Sequence, residues 1–292
     1  MLEIIQKSFL LQHWEFLVLF MTIGYFIVQL TRKEDKDENK NSNKRNNDDE
    51  MIARDYRLDH DDHGENEDDL TPALEEIEMI PYGGVQVKLS GGVDEFYNLM
   101  NDRRSIRMFS NKPVDMEIIR KCIHAAGTSP SGAHTEPWTF CVVKSDEMKA
   151  QIREIVESEE YTNYTQRMSK QWTTDLSPLR TTYIKEYLTE APYIILVFKQ
   201  VYGTRSDGGR KTHYYNEISC AISVGILLCA LQAAGLSSLT TTPLNCGPAL
   251  RTLLNRPVNE KLLVLLPVGY PTDNCVVPSL QRKSIEDIME VY

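Results

Sequence analysis

Apolar and polar positions divide the 292-residue chain into three stretches. From Phe16 to Leu30 no residue carries a charge. Extended back through Phe9, Leu10 and Leu11, the run reaches the ~20 residues that a membrane-spanning helix needs, with His13 and Glu15 near its start. Residues 1–31 are therefore expected to form a single membrane anchor, with a signal peptide and a buried helix as alternatives. Its flanks carry Lys7 on one side and Arg32, Lys33, Lys36 and Lys40 on the other. Counting basic residues places the C-terminal side, and with it the rest of the chain, in the cytosol. Residues 32–80 are rich in Asp, Asn, Glu and Lys and poor in apolar side chains. Such a stretch buries too little surface to offset its ordering entropy and is expected to be a disordered acidic linker.

Residues 81–292 alternate helical and strand periodicities. Asp115 can cap a helix whose Ile118, Ile119, Cys122, Ile123 and Ala126 follow helical spacing up to Gly127. Trp138–Val143 reads as a strand, and a long polar helix opens at Asp146 and runs to about Met168. Tyr193–Phe198 is a continuous apolar run, expected as a buried strand; shorter strands are expected over Ser237–Thr242 and Leu262–Leu266. Ile218–Gly235 has no charge and approaches the length of a membrane span. Its Ser219, Ser223 and Gln232, and the small Ala221, Gly225, Ala230, Ala233 and Ala234, favour a central helix buried on all sides. A helix apolar all round needs more partners than one such domain supplies, which points to a dimer. The whole is an α+β domain with a mainly buried sheet.

Composition sharpens this division. Hydrophobic residues at 41% and charged residues at 25% exclude a collagenous or wholly disordered chain. The net charge of −10 is not spread evenly. Residues 31–80 hold eight Lys/Arg against eighteen Asp/Glu, whereas residues 81–292 hold 23 against 22. Without a strongly basic segment, no nucleic-acid partner is expected. The six cysteines show no CxxC or Cys/His ligand spacing, so a metal site is not expected; buried free thiols in a reducing compartment account for them.

Four constellations carry candidate chemistry. Arg103, Arg104, Ser105 and Arg107 put three guanidinium groups and a hydroxyl in five residues, enough to hold a phosphate; a solvated basic patch is the bland alternative. Arg282 can add a contact. Residues 128–138, with two prolines and a glycine, form a rigid loop between helix and strand that suits either ligand binding or simple connection. Thr240, Thr241 and Thr242 place three hydroxyls at a strand end, although threonine is also a good strand residue. Glu160 and Tyr164 share a helix face at i,i+4, and with Lys185 they can grip a zwitterion; a charged helix surface would look the same.

Taken together, the strings 103–107, 127–138, 184–187, 213–218 and 240–248 resemble the flavin nitroreductase superfamily, and within it the halotyrosine-dehalogenating branch. The resemblance covers most of residues 95–292. It implies a nitroreductase-like fold, a central sheet flanked by helices in a domain-entwined homodimer, with two FMN sites between the subunits. Arg103, Arg104, Ser105, Arg107 and Arg282 would hold the phosphate and neighbouring FMN atoms. Ser131 and Gly132 would line the ring, and Thr240, with Thr241 and Thr242 in the same site, would place a hydroxyl near flavin N5. Glu160, Tyr164 and Lys185 would hold the amino-acid end of the substrate, and the backbone of Ala133 its ionised phenol. The helix carrying Glu160 would act as a lid. The implied reaction turns 3-iodotyrosine and 3,5-diiodotyrosine, and also bromo- and chlorotyrosines, into tyrosine and halide. NADPH is the implied ultimate donor, directly or through a reductase partner. A general FMN nitroreductase or quinone reductase is the alternative.

Overall fold

The computed structural model describes residues 89–292, with Met79, Pro81 and Tyr82, except Arg180 and Asp207. The expected anchor over residues 1–31 lies outside the described residues, and so does the expected linker apart from Met79.

Four antiparallel strands form the main sheet: β1 (Trp138–Val143), β2 (Tyr193–Gln200), β5 (Ser237–Ser238) and β6 (Glu260–Gly269), in the order β1-β2-β6-β5. A separate hairpin pairs β3 (Tyr202–Thr204) with β4 (Arg210–Thr212). Seven α-helices accompany them among the described residues: α1 (Gly92–Asn101), α2 (Met116–Ala126), α3 (Asp146–Thr162), α4 (Lys170–Leu176), α5 (Tyr187–Glu190), α6 (Asn216–Ala233) and α7 (Gly247–Leu253).

The continuous apolar run of β2 is explained by cover on both faces. Successive strand residues point to opposite sides. Ile194, Leu196 and Phe198 pack with Ile152 and Val156 of α3, Leu188 of α5 and Leu250 of α7. Tyr193, Ile195 and Val197 pack with Ile119 and Cys122 of α2 and Val224, Leu227 and Leu231 of α6. The sheet is thus the middle of three layers. As the sequence indicates, α2 begins at an Asp115 cap, whose carboxylate accepts from the Glu117 N–H at 2.9 Å, satisfying one of the donors a helix start leaves unpaired.

Three expectations need correction. The strand expected over Ser237–Thr242 is a two-residue ladder followed by an irregular segment that regains β6 at Thr241. Pro267 of β6 accepts from the Leu239 N–H but has no N–H to return, so the ladder breaks there. The helix expected to reach Met168 ends at Thr162 and continues as a wider turn over residues 163–167, closed by the Met168 N–H on the Asn163 carbonyl at 2.8 Å. Helix α6 is covered on one flank only: Ile218 is 60% exposed and Ile222 43%. Among the described residues it alone is long and apolar enough to cross a membrane, but α2 and the sheet pack along it. All six cysteines are free, and burial pushes the Cys220 thiol up to about 12.

Candidate active site

The Arg103–Arg107 segment leaves the end of α1 and runs along the outer edge of β5, where the Ile106 N–H meets the Ser238 carbonyl at 3.1 Å. Arg104 donates to the Pro278 carbonyl. Arg282 approaches the same segment from the C-terminal tail. Its guanidinium donates to Asn101 Oδ1 at 3.1 Å and to the carbonyls of Met100, Asn101 and Arg103 at 3.5, 3.2 and 3.1 Å. It therefore caps the C-terminus of α1, where unpaired carbonyls favour a cation, and holds the start of the arginine segment in place. Among the described residues none of Arg103, Arg104, Arg107 and Arg282 is paired with a carboxylate.

Beyond β5 the three threonines separate. Thr241 turns back onto the sheet: its N–H and hydroxyl both donate to the Leu265 carbonyl, at 2.9 and 3.2 Å. Thr240 and Thr242, two apart, are both exposed. Of the three hydroxyls, those two are placed to meet a ligand.

Glu160, Tyr164 and Lys185 come together. Lys185 Nζ lies 3.1 Å from Glu160 Oε2, 2.6 Å from the Thr182 carbonyl and 5.4 Å from the centre of the Tyr164 ring. Both charged side chains are buried, with 8% and 9% of their surface exposed. Removal from water strengthens such a pair only when the remaining polar groups are satisfied. Here the Thr182 carbonyl accepts from Lys185 Nζ at 2.6 Å and the Asn163 amide donates to Glu160 Oε1 at 3.4 Å; the Lys185 backbone N–H donates separately to Glu157 Oε1 at 2.6 Å, and Glu157 pairs with Arg153 at 2.7 Å. Tyr161 and Tyr183 stack edge to face at 5.3 Å, pinning the segment before Lys185 to α3. Burial, chiefly, raises the Tyr164 phenol above its ordinary range; the Thr181 hydroxyl and the Arg107 charge pull it down, and the Glu160 carboxylate adds to the rise. Arg107 is thus the member of the arginine segment whose charge reaches Tyr164.

Ser131, Gly132 and Ala133 lie elsewhere. They precede β1, at the opposite edge of the sheet from β5. On the line Cys141–Leu196–Leu265–Thr241 three strand-to-strand steps intervene, about 14 Å, and the arginine segment lies one step further out. One chain thus sets the arginine segment 103–107 beside the strand that leads to Thr240 and Thr242, groups Glu160, Tyr164 and Lys185, and leaves the Ser131–Ala133 turn apart. That turn is held tightly. Ala133, His134 and Glu136 adopt left-handed φ values of 47°, 49° and 46°, which cost non-glycine residues energy. Ser131 Oγ accepts from the Glu136 N–H at 3.0 Å, and the Thr135 hydroxyl donates to the Gly132 carbonyl at 2.9 Å.

Two residues belong to this neighbourhood without having been singled out from the sequence. Tyr187, 8% exposed, has its phenol held well above its ordinary range, first by burial, with Arg107 opposing and Glu160 adding. Asn163, 1% exposed, sits between Glu160 and the segment after Thr242. Tyr187 lies within the string 184–187 that carries the resemblance, which was its available signal; Asn163 lies in none of those strings, and only its place between Glu160 and Tyr164 could have pointed to it.

The fold and the grouped side chains define an α+β oxidoreductase domain of the nitroreductase type. The nitroreductase family model matches residues 100–270, and the chain belongs to that family. Within it, the chain is a member of the iodotyrosine deiodinases. It is 52% identical to the iodotyrosine deiodinase of Drosophila melanogaster over 298 residues, covering 99% of each chain. It is 54% identical to iodotyrosine deiodinase 1 of Homo sapiens over 228 residues, 77% of this chain and 79% of that one. A crystal structure of oxidised iodotyrosine deiodinase bound to FMN and 3-iodo-L-tyrosine superposes with a TM-score of 0.58 at 32% identity, covering 65% of this chain and 96% of that one.

Proposed function

We propose that the chain removes iodide from 3-iodotyrosine and 3,5-diiodotyrosine using bound FMN, with bromo- and chlorotyrosines as further substrates. The observation that carries this is the buried Glu160–Lys185 pair beside Tyr164, in a chain whose arginine segment no carboxylate among the described residues neutralises. A free amino acid presents an ammonium and a carboxylate together. Glu160 can take the first and Lys185 the second, each as a charge-assisted hydrogen bond, and a reductase of plain nitroaromatics or quinones has no use for such a pair.

The donor set fits FMN. Arg103, Arg104, Ser105 and Arg107 suit a phosphate dianion, with Arg282 fixing the segment from behind. Thr240 would offer its hydroxyl to the flavin N5, with Thr242 beside it. Bound FMN, once reduced, supplies the two electrons; with one proton they replace the carbon–iodine bond by carbon–hydrogen and release iodide. The protein holds the substrate by its amino-acid end, keeps water away and meets the ionised phenol with the Ala133 backbone.

Because one chain leaves Ser131, Gly132 and Ala133 across the sheet from the rest, a second copy completes each site. The uncovered flank of α6, with Ile218 and Ile222, suits that contact. This reading makes the protein a homodimer with two sites, with α3 and the following turn as a lid. NADPH, directly or through a reductase, is the ultimate donor, and residues 1–31 anchor the catalytic domain on the cytosolic side of a membrane.

Dithionite reduction of the purified, FMN-loaded chain followed by diiodotyrosine is expected to release iodide; a fully loaded protein that releases none overturns the reading. Thr240→Ala is expected to keep its flavin, lose about tenfold in iodide release, the worth of one hydrogen bond, and gain activity on a nitroaromatic. Unchanged dehalogenation in Thr240→Ala would remove Thr240 from its role.

A further inference from the structure

Asn163 stands at the junction of α3 and the wide turn over residues 163–167, where the backbone slips from α to π hydrogen bonding, a feature that recurs at functional sites. Its side chain is almost wholly enclosed, at 1% exposure, and uses its full hydrogen-bonding capacity of two donors and two acceptor positions. The amide nitrogen donates to Glu160 Oε1 and to the Leu244 carbonyl, each at 3.4 Å. The amide oxygen accepts from Arg167 Nη1 at 3.2 Å and from Asn245 Nδ2 at 3.5 Å. Four partners thus come from two separate pieces of chain. Glu160 and Arg167 belong to the clamp-bearing helix and its turn. Leu244 and Asn245 belong to the segment that follows Thr240–Thr242, with Asn245 in the left-handed region at φ 63°.

The two oxygens of Glu160 are divided between functions. Oε2 faces Lys185 at 3.1 Å, and Oε1 faces Asn163. A substrate ammonium arriving at Glu160 must enter that arrangement, and any turn of the carboxylate acts on the Asn163 amide. The same amide holds the Leu244 carbonyl, two residues after Thr242. We propose that Asn163 is a positioning residue that couples the Glu160–Lys185 clamp to the Thr240–Thr242 segment, so that amino-acid binding and flavin binding reinforce each other. The inference rests on the reading of the clamp as a halotyrosine site. A coupling between two ligands is reciprocal, so it is measurable without turnover.

The test uses the full-length oxidised protein without reductant, and reads the FMN dissociation constant by flavin fluorescence with and without saturating 3-iodotyrosine. In the unaltered protein iodotyrosine is expected to tighten FMN about tenfold, within the usual range for coupled sites. Asn163→Asp keeps the shape and removes both N–H donors. It is expected to leave FMN affinity in the absence of iodotyrosine within about twofold and to reduce the tightening below about twofold. If the new buried carboxylate prevents folding, Asn245→Gly decides the matter. Glycine adopts φ 63° freely, and only the side-chain link to Asn163 is lost. The tightening is then expected to fall at least threefold. Native tightening in folded Asn163→Asp, or in Asn245→Gly where Asn163→Asp does not fold, overturns the role of Asn163 and leaves the halotyrosine reading standing. Absence of tightening in an unaltered protein that binds iodotyrosine also overturns the coupling alone. Failure of the unaltered holoprotein to bind iodotyrosine overturns both.

Discussion

Replacing Lys185 by glutamine is expected to weaken iodotyrosine binding by two to three orders of magnitude, about 3–4 kcal/mol, while FMN stays bound. The substrate carboxylate loses a cation that is 92% enclosed and within 5.4 Å of the Tyr164 ring; Glu160, left without its 3.1 Å partner, burdens the unliganded protein instead and is relieved by the substrate ammonium, so the lost cation sets the effect on binding. An unpaired buried charge, here the substrate carboxylate, costs several kcal/mol. Glutamine can still donate to the Thr182 carbonyl, so the local fold survives. Titration of the holoprotein with iodotyrosine checks the binding, and the flavin absorbance retained through gel filtration checks the cofactor. The kinetic signature is a raised KM with a smaller change in kcat, since the clamp grips ground and transition states alike. A variant that binds iodotyrosine as the unaltered protein does would show that the zwitterion is held elsewhere.

That clamp also shows how far the sequence reaches. Glu160 and Tyr164 are legible as one helix face because four residues make one turn. Lys185, 25 positions after Glu160 and just before α5, is not connected to them by any period; its chemistry alone suggested the grouping and the resemblance supported it, and in the fold its contacts with Glu157 and Glu160, with Tyr161 against Tyr183, hold it there. The fold divides in the same way. Strand β2 and helix α2 are written in local pattern and a cap. The break after Ser238 depends on Pro267 of the neighbouring strand, and the end of α3 depends on where Asn163 finds partners. Both are tertiary effects that override a continuing periodicity. The separation of Ser131–Ala133 from Thr240 is likewise a property of strand order. Helix α6 was legible as apolar all round, and its uncovered flank is where that pattern outruns what one chain can bury.

Replacing Gly132 by alanine is expected to cut iodide release about a hundredfold, the cost of misplacing a positioning group by about an ångström, and to destabilise the fold by about 2 kcal/mol. A Cβ on Gly132 would lie 2.6 Å from the Tyr214 carbonyl oxygen and 3.3 Å from the Tyr215 ring. The nearest atom is backbone, and that backbone is committed: Tyr215 sits at φ 53° just before α6, and the Ser219 N–H bonds to its carbonyl at 2.9 Å. The glycine turn must therefore move. It carries Ser131 and the left-handed Ala133 with it, the groups proposed to meet the flavin ring and the substrate phenol of the other subunit. Gly127→Ala is the internal control. There φ is −66° and the nearest atom to a new Cβ is 3.4 Å away, so stability and iodide release should stay near native. Thermal unfolding and single-turnover iodide release of the two variants, side by side, separate a displaced turn from a general intolerance of alanine. Native iodide release by Gly132→Ala would place the flavin and the phenol away from this turn.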